Sequence, residues 1–429
     1  MKILISAAEA SSDIHGAVLL KALREQAPAG VSVHAYGVGG PLLQAQGLKS
    51  WVDARELLSM GFTEVLGKLP RIFKALALLA GSVVTERPDV AVVIDYPDFH
   101  FRLAKRLKKK GVPVVYYIPP KVWVWRKKRI EVIRALFTKV LCIFPFEKKL
   151  YEDAQVPARY VGNPLLDELP LELTQSQARA SLGLEPSEKV LVILAGSRPS
   201  ELDQHLVPLL TTARNVAEKL GKIVVLMPLP QTSDLQSVKA RVLDTLFALP
   251  DAESLLQVRV TQGNSAECMV AADVGLIKSG TSTLEAGLLN CPHIVVYKTS
   301  WFSEWVFRKW IQYEGPVGLV NLVSGWEEGK PYLVRELICE EFTQENLTRE
   351  ALALFTEPAR RETLKRGFAR LRECMSGDAN RVKSGDANRL GPSALAAQEI
   401  WAVVMASRQR AMPSQELESK RLPSSGAAP

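Results

Sequence analysis

The chain has 429 residues, 47% hydrophobic and 23% charged, enough apolar material for roughly two to four domains. That balance excludes a wholly disordered chain. Five scattered cysteines (Cys142, Cys268, Cys291, Cys339, Cys374) without a CxxC pair exclude a disulfide scaffold and fit a cytoplasmic protein with reduced thiols. The net charge of +8 is uneven: residues 1–165 carry 25 basic and 14 acidic side chains, the rest 29 and 32. A basic first half points to an anionic partner there, or to a solvated lysine-rich surface.

No stretch reaches the ~18 uncharged apolar residues of a transmembrane helix. Lys2 and the short apolar run after it imitate a leader, but Glu9 interrupts it, and a first strand at 2–6 is the better reading. In chain order, further strands are predicted at 32–36, 90–94, 113–117 and 140–143. A second series follows at 189–194, 222–227, 257–260, 274–277 and 293–297. Most are continuous Val/Ile/Leu runs, the pattern of parallel strands buried on both faces. Helices fit between them at 12–26, 99–110, 200–220 and 281–290. Repeated βα units predict an α/β protein of two Rossmann-like, doubly wound parallel-sheet domains. The join is expected within 162–187, giving domains 1–165 and 166–385. A helix over 393–408 is expected to pack back on the first. Residues 411–429, rich in Pro, Ser, Gly and Ala, are expected to be disordered. The hexapeptide SGDANR occurs at 376–381 and again at 384–389 without a functional reading.

Ligands of open α/β sheets bind at strand carboxyl ends, near helix N-termini. After the first strand comes Glu9-Ala10-Ser11-Ser12-Asp13, where Ser12 or Asp13 is either a ligand contact or a helix cap. Gly37-Val38-Gly39-Gly40 follows the second strand and reads as a tight turn. The strand at 90–94 ends in Asp95-Tyr96-Pro97-Asp98-Phe99-His100. There Asp98 is a cap or a general base, with His100 a weaker candidate. In the second half, Gly196-Ser197-Arg198 offers small residues and a guanidinium for phosphate oxygens, or a salt bridge to Glu201. Ser279-Gly280-Thr281-Ser282 forms a diphosphate cradle, and Glu285, one turn on, suits a ribose diol.

These segments, with MGFTEVL at 60–66, PPKVWVWRKKRI at 119–130, IFPFE at 143–147 and YVGNPLLD at 160–167, resemble the lipid-A-disaccharide synthases over residues 1 to about 350. The resemblance implies the GT-B fold with an interdomain cleft. It implies inverting, metal- and cofactor-independent transfer from UDP-2,3-diacylglucosamine to 2,3-diacylglucosamine 1-phosphate (lipid X), giving a β-1,6-linked disaccharide 1-phosphate and UDP. Arg198 and the helix dipole at 280–282 would then stabilise departing UDP, Glu285 would hold the ribose, Asp98 would deprotonate the acceptor, and Asn321 would lie near the donor. Glu9, Ser11, Ser12, Asp13 and His100 are the acceptor-side candidates.

Five positions depart from the family's pattern. Ala8 and Ser12 replace glycines of the first loop, adding side chains where the backbone should approach a ligand. Asn163 replaces a histidine, His100 an asparagine, and Ala195 a common proline.

Acylated substrates imply a protein peripheral to the cytoplasmic face of the inner membrane. Leu69, Ile72, Phe73 and Leu76 recur at helical spacing beside Lys68, Arg71 and Lys74, as an interfacial helix or as a core-facing one. Trp123, Trp125 and the basic run 126–129 add interfacial character, and no nucleic-acid module surrounds them. Composition leaves the oligomeric state open. Two other classes remain: a UDP-sugar epimerase of the same architecture, and a non-catalytic membrane-associated UDP-sugar binder.

Overall fold

The computed structural model describes residues 1–54, 62–120, 129–298, 315–325, 331–377 and 390–411. The SGDANR pair, the stretch 121–128 with its two tryptophans and the tail after 411 lie largely or wholly outside them. The chain divides into two compact units, Met1–Glu168 with Ser376–Pro429, and Leu169–Met375.

The first unit holds seven parallel strands: β1 Lys2–Ala7, β2 His34–Gly39, β3 Lys49–Asp53, β4 Val90–Ile94, β5 Val114–Tyr117, β6 Lys139–Cys142 and β7 Ala158–Tyr160. Their order is β3-β2-β1-β4-β5-β6-β7, so the winding reverses between β1 and β4. β4 and β5 are buried at every residue, which is why they read as unbroken apolar runs. The GVGG segment is corrected: Gly37 and Gly39 lie inside β2, not in a turn after it. At Gly37 the register with β3 shifts and φ is +140°, and a Cβ there would stand 2.1 Å from the Ile5 carbonyl oxygen of β1. Only glycine fits a bulge pressed this closely against its neighbour.

The second unit holds β8 Lys189–Leu194, β9 Ile223–Leu229, β10 Leu256–Gln262, β11 Val274–Lys278, β12 His293–Tyr297 and β13 Glu336–Ile338, all parallel. The order β10-β9-β8-β11-β12-β13 reverses between β8 and β11.

The helix Pro392–Ala411 belongs to the first unit. Trp401 Nε1 donates to the Leu23 carbonyl, Arg408 pairs with Asp89, and Glu399 pairs with Lys139 and Arg159.

The helix Phe62–Glu86 separates the two readings of its apolar stripe. Leu76 and Leu79 are fully buried and Ile72 packs against the same core, so that face is core. Of the four membrane-contact candidates, Phe73 is exposed, and the side chain of Leu69 lies outside the described set. Leu78 and Val84 are exposed as well. Arg102 stands 5.7 Å over the Phe73 ring. Among the described residues no helix is long and apolar enough to cross a membrane.

Candidate functional site

At the reversal in the first unit, β1 and β4 end side by side. Asp95 and Tyr96 both take left-handed backbone (φ +53° and +44°), a conformation that costs on the order of 1 kcal/mol or more per non-glycine residue. The turn is held by its carbonyl: Asp95 O accepts from His100 Nδ1 at 2.6 Å and from the Tyr116 hydroxyl at 3.1 Å. With Nδ1–H so committed, His100 Nε2 accepts from Ser6 Oγ of β1 at 2.8 Å, tying the helix that follows β4 to β1. His100 is wholly buried with both ring nitrogens used. As an acceptor-side group it is therefore corrected: it braces the turn from inside.

Burial pulls the pKa of His100 down to about 4, and that of His293 in the second unit likewise. Both are neutral in the fold, whereas the unfolded chain protonates them near 6.5. Their stabilisation is complete above about pH 6.5 and is lost as pH falls toward 4. The unfolding temperature is expected to drop across that window, and His100→Asn to flatten the first unit's share. Thermal scans from pH 7 to 4 check this; an unaltered slope in the variant would show that His100 contributes nothing to it.

Asp98 is the second residue of the helix Pro97–Lys109, and Tyr96, not Asp98, occupies the cap position. The Asp98 side chain is 80% exposed, and its Oδ1 lies 2.7 Å from Arg129 Nη2. Arg129 also lies 5.6 Å over the Phe101 ring. An oriented carboxylate at a strand tip is what proton abstraction needs. The partner Arg129 was invisible as such, because it sits 31 positions away in a basic run.

Asp13 is a helix cap, but of another helix than its own. It is 4% exposed, and its carboxylate accepts N–H groups of Gly40 (2.8 Å), Leu42 (2.9 Å) and Leu43 (3.1 Å). It caps the helix Pro41–Ala45, while Glu9 holds the cap position of its own helix Ala10–Glu25. Ser12 is buried, with Oγ toward the Ile94 carbonyl at 3.4 Å. Of the acceptor-side set, Glu9 and Ser11 keep exposed surface. Ala8 and Asn163 are buried too, so these departures put side chains into the fold; Asn163 Oδ1 accepts from Leu165 N–H.

In the second unit the turn after β8 is closed by its own carboxylate. Gly196 has φ +121°, and a Cβ there would stand 2.5 Å from Glu201 Cβ. Glu201 Oε2 accepts N–H groups of Ser197 (2.9 Å) and Arg198 (3.3 Å). These two amides are therefore not free for a phosphate. The Arg198 guanidinium projects outward, 79% exposed and 3.9 Å from Glu201 Oε1.

The turn after β11 is open. The helix Thr281–Leu288 has Gly280, which has no side chain to offer, at its cap position. Its first amides and the positive end of its dipole point outward at the sheet's reversal, where an anion is favoured. Thr281 is exposed and Ser282 half-buried, whereas Thr283 turns its hydroxyl back to the Gly280 carbonyl. Ser279 is occupied: its Oγ donates to the Val317 carbonyl at 2.8 Å. Glu285 is half-buried on the same helix.

Asn321 lies inside the second unit. It is fully buried; Nδ2 donates to Val334 O (2.7 Å) and Glu336 Oε1 (2.8 Å), and Oδ1 accepts from Val334 N–H (2.8 Å). Glu336 also takes the N–H groups of Val317 and Gly318. Burial holds the Glu336 carboxyl above its usual range despite these bonds. Asn321 is therefore a positioning residue for the 317–318 segment on which Ser279 rests. Among the described residues no group of three or more His, Cys, Asp or Glu is placed to hold a metal.

Comparison with known proteins bears on this geometry. The Lipid-A-disaccharide synthetase family matches residues 3–384. The chain is 37% identical over 371 residues to the lipid-A-disaccharide synthase of Myxococcus xanthus, covering 86% of this chain and 92% of that one. To that of Anaeromyxobacter dehalogenans strain 2CP-C it is 39% identical over 361 residues, 84% and 90%. The crystal structure of UDP-GlcNAc 2-epimerase from Neisseria meningitidis, bound to UDP-GlcNAc, superposes with a TM-score of 0.58 at 14% identity, covering 95% of this chain and all of the other. That likeness shows the two-domain GT-B-type fold alone. A family match over nearly the whole chain, joined to the sequence identity, settles the kinship: this chain belongs to the lipid-A-disaccharide synthases, a family of glycosyltransferases.

Proposed function

We propose that the chain condenses UDP-2,3-diacylglucosamine with 2,3-diacylglucosamine 1-phosphate, forming the β-1,6-linked disaccharide 1-phosphate and releasing UDP. The observation that carries this is the helix terminus at Gly280–Ser282 with glycine at its cap position, set at the β8/β11 reversal with the Arg198 guanidinium projecting from the turn after β8. The donor's diphosphate binds there, and the growing charge on departing UDP meets preset amide dipoles and a cation. Glu285 holds the ribose diol. Asp98, oriented by Arg129, accepts the proton of the acceptor's 6-hydroxyl as that oxygen attacks the anomeric carbon. Inversion follows from a single in-line displacement.

Both substrates carry acyl chains, so the protein works at a membrane surface. The exposed Phe73 and Leu78, with the neighbouring Arg71 and Lys74, are the contact we infer on the helix Phe62–Glu86. Phe73→Ser with Leu78→Ser is expected to cut sedimentation with anionic vesicles several-fold at unchanged unfolding temperature. Ile72→Ser or Leu76→Ser would instead injure the core. Undiminished sedimentation of the Phe73/Leu78 variant would move the contact elsewhere.

The activity itself is tested by incubating the protein with UDP-diacylglucosamine, with and without lipid X. Disaccharide and UDP are expected only when both are present. A sugar isomer, or UDP released without acceptor, would favour an epimerase or a hydrolase instead; binding without turnover would favour a non-catalytic binder.

A further inference from the structure

One ion pair spans the reversal of the second sheet. β8 and β11 are neighbours there, with β9 and β10 on one side and β12 and β13 on the other. In such sheets the ligand's crevice opens at the carboxyl ends of those two strands. Lys278 is the last residue of β11, two positions before the open helix terminus at Gly280. Its Nζ lies 2.9 Å from Oε1 of Glu201, which comes from the helix after β8, 77 positions away in sequence. The Tyr297 ring flanks the same ammonium at 5.5 Å.

The Glu201 carboxylate thus gathers the ammonium of Lys278, the guanidinium of Arg198 and two backbone amides. The two amides are committed to the carboxylate, but the two cations are the kind of group a phosphate selects. The cations differ in exposure: Arg198 is 79% exposed and Lys278 18%. A charge as exposed as Arg198 is screened and weak by itself, whereas a sheltered ammonium attracts an anion more strongly. An ammonium has three N–H donors, and the contact with Glu201 uses one. Burial raises the Glu201 carboxyl, but Lys278 and the two amides outweigh it and the net shift is downward, so the carboxylate stays charged.

We propose that Lys278 is a further diphosphate-binding residue of the donor site, and that Glu201 is the positioning residue that holds its ammonium at the crevice. This rests on the donor reading above. The ammonium bridges Glu201 and a phosphate oxygen when a nucleoside diphosphate is bound. No bond is made or broken.

The test is calorimetric titration of the full chain with uridine diphosphate. Lys278→Met is expected to weaken binding roughly 10- to 100-fold, the loss of one hydrogen bond to a charged group. Lys278→Arg is expected to retain most of the affinity, and Glu201→Gln to weaken binding by about threefold. In the Glu201→Gln background, Lys278→Met must still cost at least about tenfold. If that cost vanishes, Lys278 serves only as a partner of Glu201 and the inference is overturned; equal affinity of Lys278→Met and the unchanged protein overturns it too. Should Lys278→Met fail to fold, Lys278→Gln, which still donates to Glu201, is expected to show the same loss. If the unchanged protein takes up no uridine diphosphate, the donor reading itself fails. If it does and Arg198→Ala weakens it while Lys278→Met does not, only the inference about Lys278 fails.

Discussion

Asp98→Asn is expected to lower the rate of disaccharide formation by about 100- to 10,000-fold, the usual range for losing a general base. The affinity for uridine diphosphate should stay within about twofold, because Asp98 lies in the unit Met1–Glu168 and the phosphate-facing groups lie in Leu169–Met375. Stability should hardly change. The side chain is 80% exposed and its ion pair with Arg129 is of the kind that contributes about 0–1 kcal/mol. A fall in turnover with neither unfolding nor loss of UDP binding is the signature of a group acting in the transition state. Single-turnover rates with saturating donor check it, and wild-type turnover would remove Asp98 as the base. Arg129→Met is the companion: it spares the carboxylate but frees its orientation, so a smaller loss is expected.

Asn321→Leu is expected to act in another way, through the fold. It removes three hydrogen bonds from a fully buried site and leaves Val334 N–H, Val334 O and part of the Glu336 carboxylate without a partner. Each buried group so stranded costs about 1–3 kcal/mol, so the total destabilisation should reach roughly 3–5 kcal/mol. Glu336 also anchors the amides of Val317 and Gly318, and Val317 O receives the Ser279 hydroxyl. The turn that leads into the open helix terminus therefore loosens with it, and donor affinity should fall together with the unfolding temperature. Were Asn321 a catalytic group, turnover would collapse at unchanged stability. Thermal unfolding and the donor KM, measured on the same preparation, separate these two outcomes.

Much of the fold was legible because burial on both faces of a parallel sheet leaves a plain mark. β4, β8 and β12 are continuous apolar runs with the boundaries that pattern predicts, and β1, β5, β9 and β11 differ by only a residue or two at an end. Three strands left no mark: β3 (KSWVD), β7 (ARY) and β13 (ELI). All three are sheet edges, short and partly exposed, so nothing forces an apolar run on them. Gly37 looked like a turn because glycine marks turns and bulges alike, and only the neighbouring β1 backbone tells them apart.

The site was legible as a set of strand-end loops, since small and polar residues there stand out against the apolar strands. What those residues do was far less legible. Asp13 reaches an amide 27 positions on, His100 reaches Ser6 across 94 positions and Lys278 reaches Glu201 across 77. Such pairings follow from strand order, which no local pattern encodes. Hence Asp13, Ser12, His100 and Asn321, each suited to chemistry by residue type, turn out to brace the loops. Lys278 gives no signal beside the glycines and hydroxyls it flanks, and Glu201 reads only as a salt-bridge partner for Arg198.

A crystal of this protein soaked with uridine diphosphate tests the donor site most directly. The phosphates should lie against the first amides of the helix Thr281–Leu288, within reach of Arg198 and Lys278, with the ribose hydroxyls at Glu285. Nucleotide density at any other place on the second unit, or on the first, would contradict the assignment of that strand-end crevice to the activated sugar.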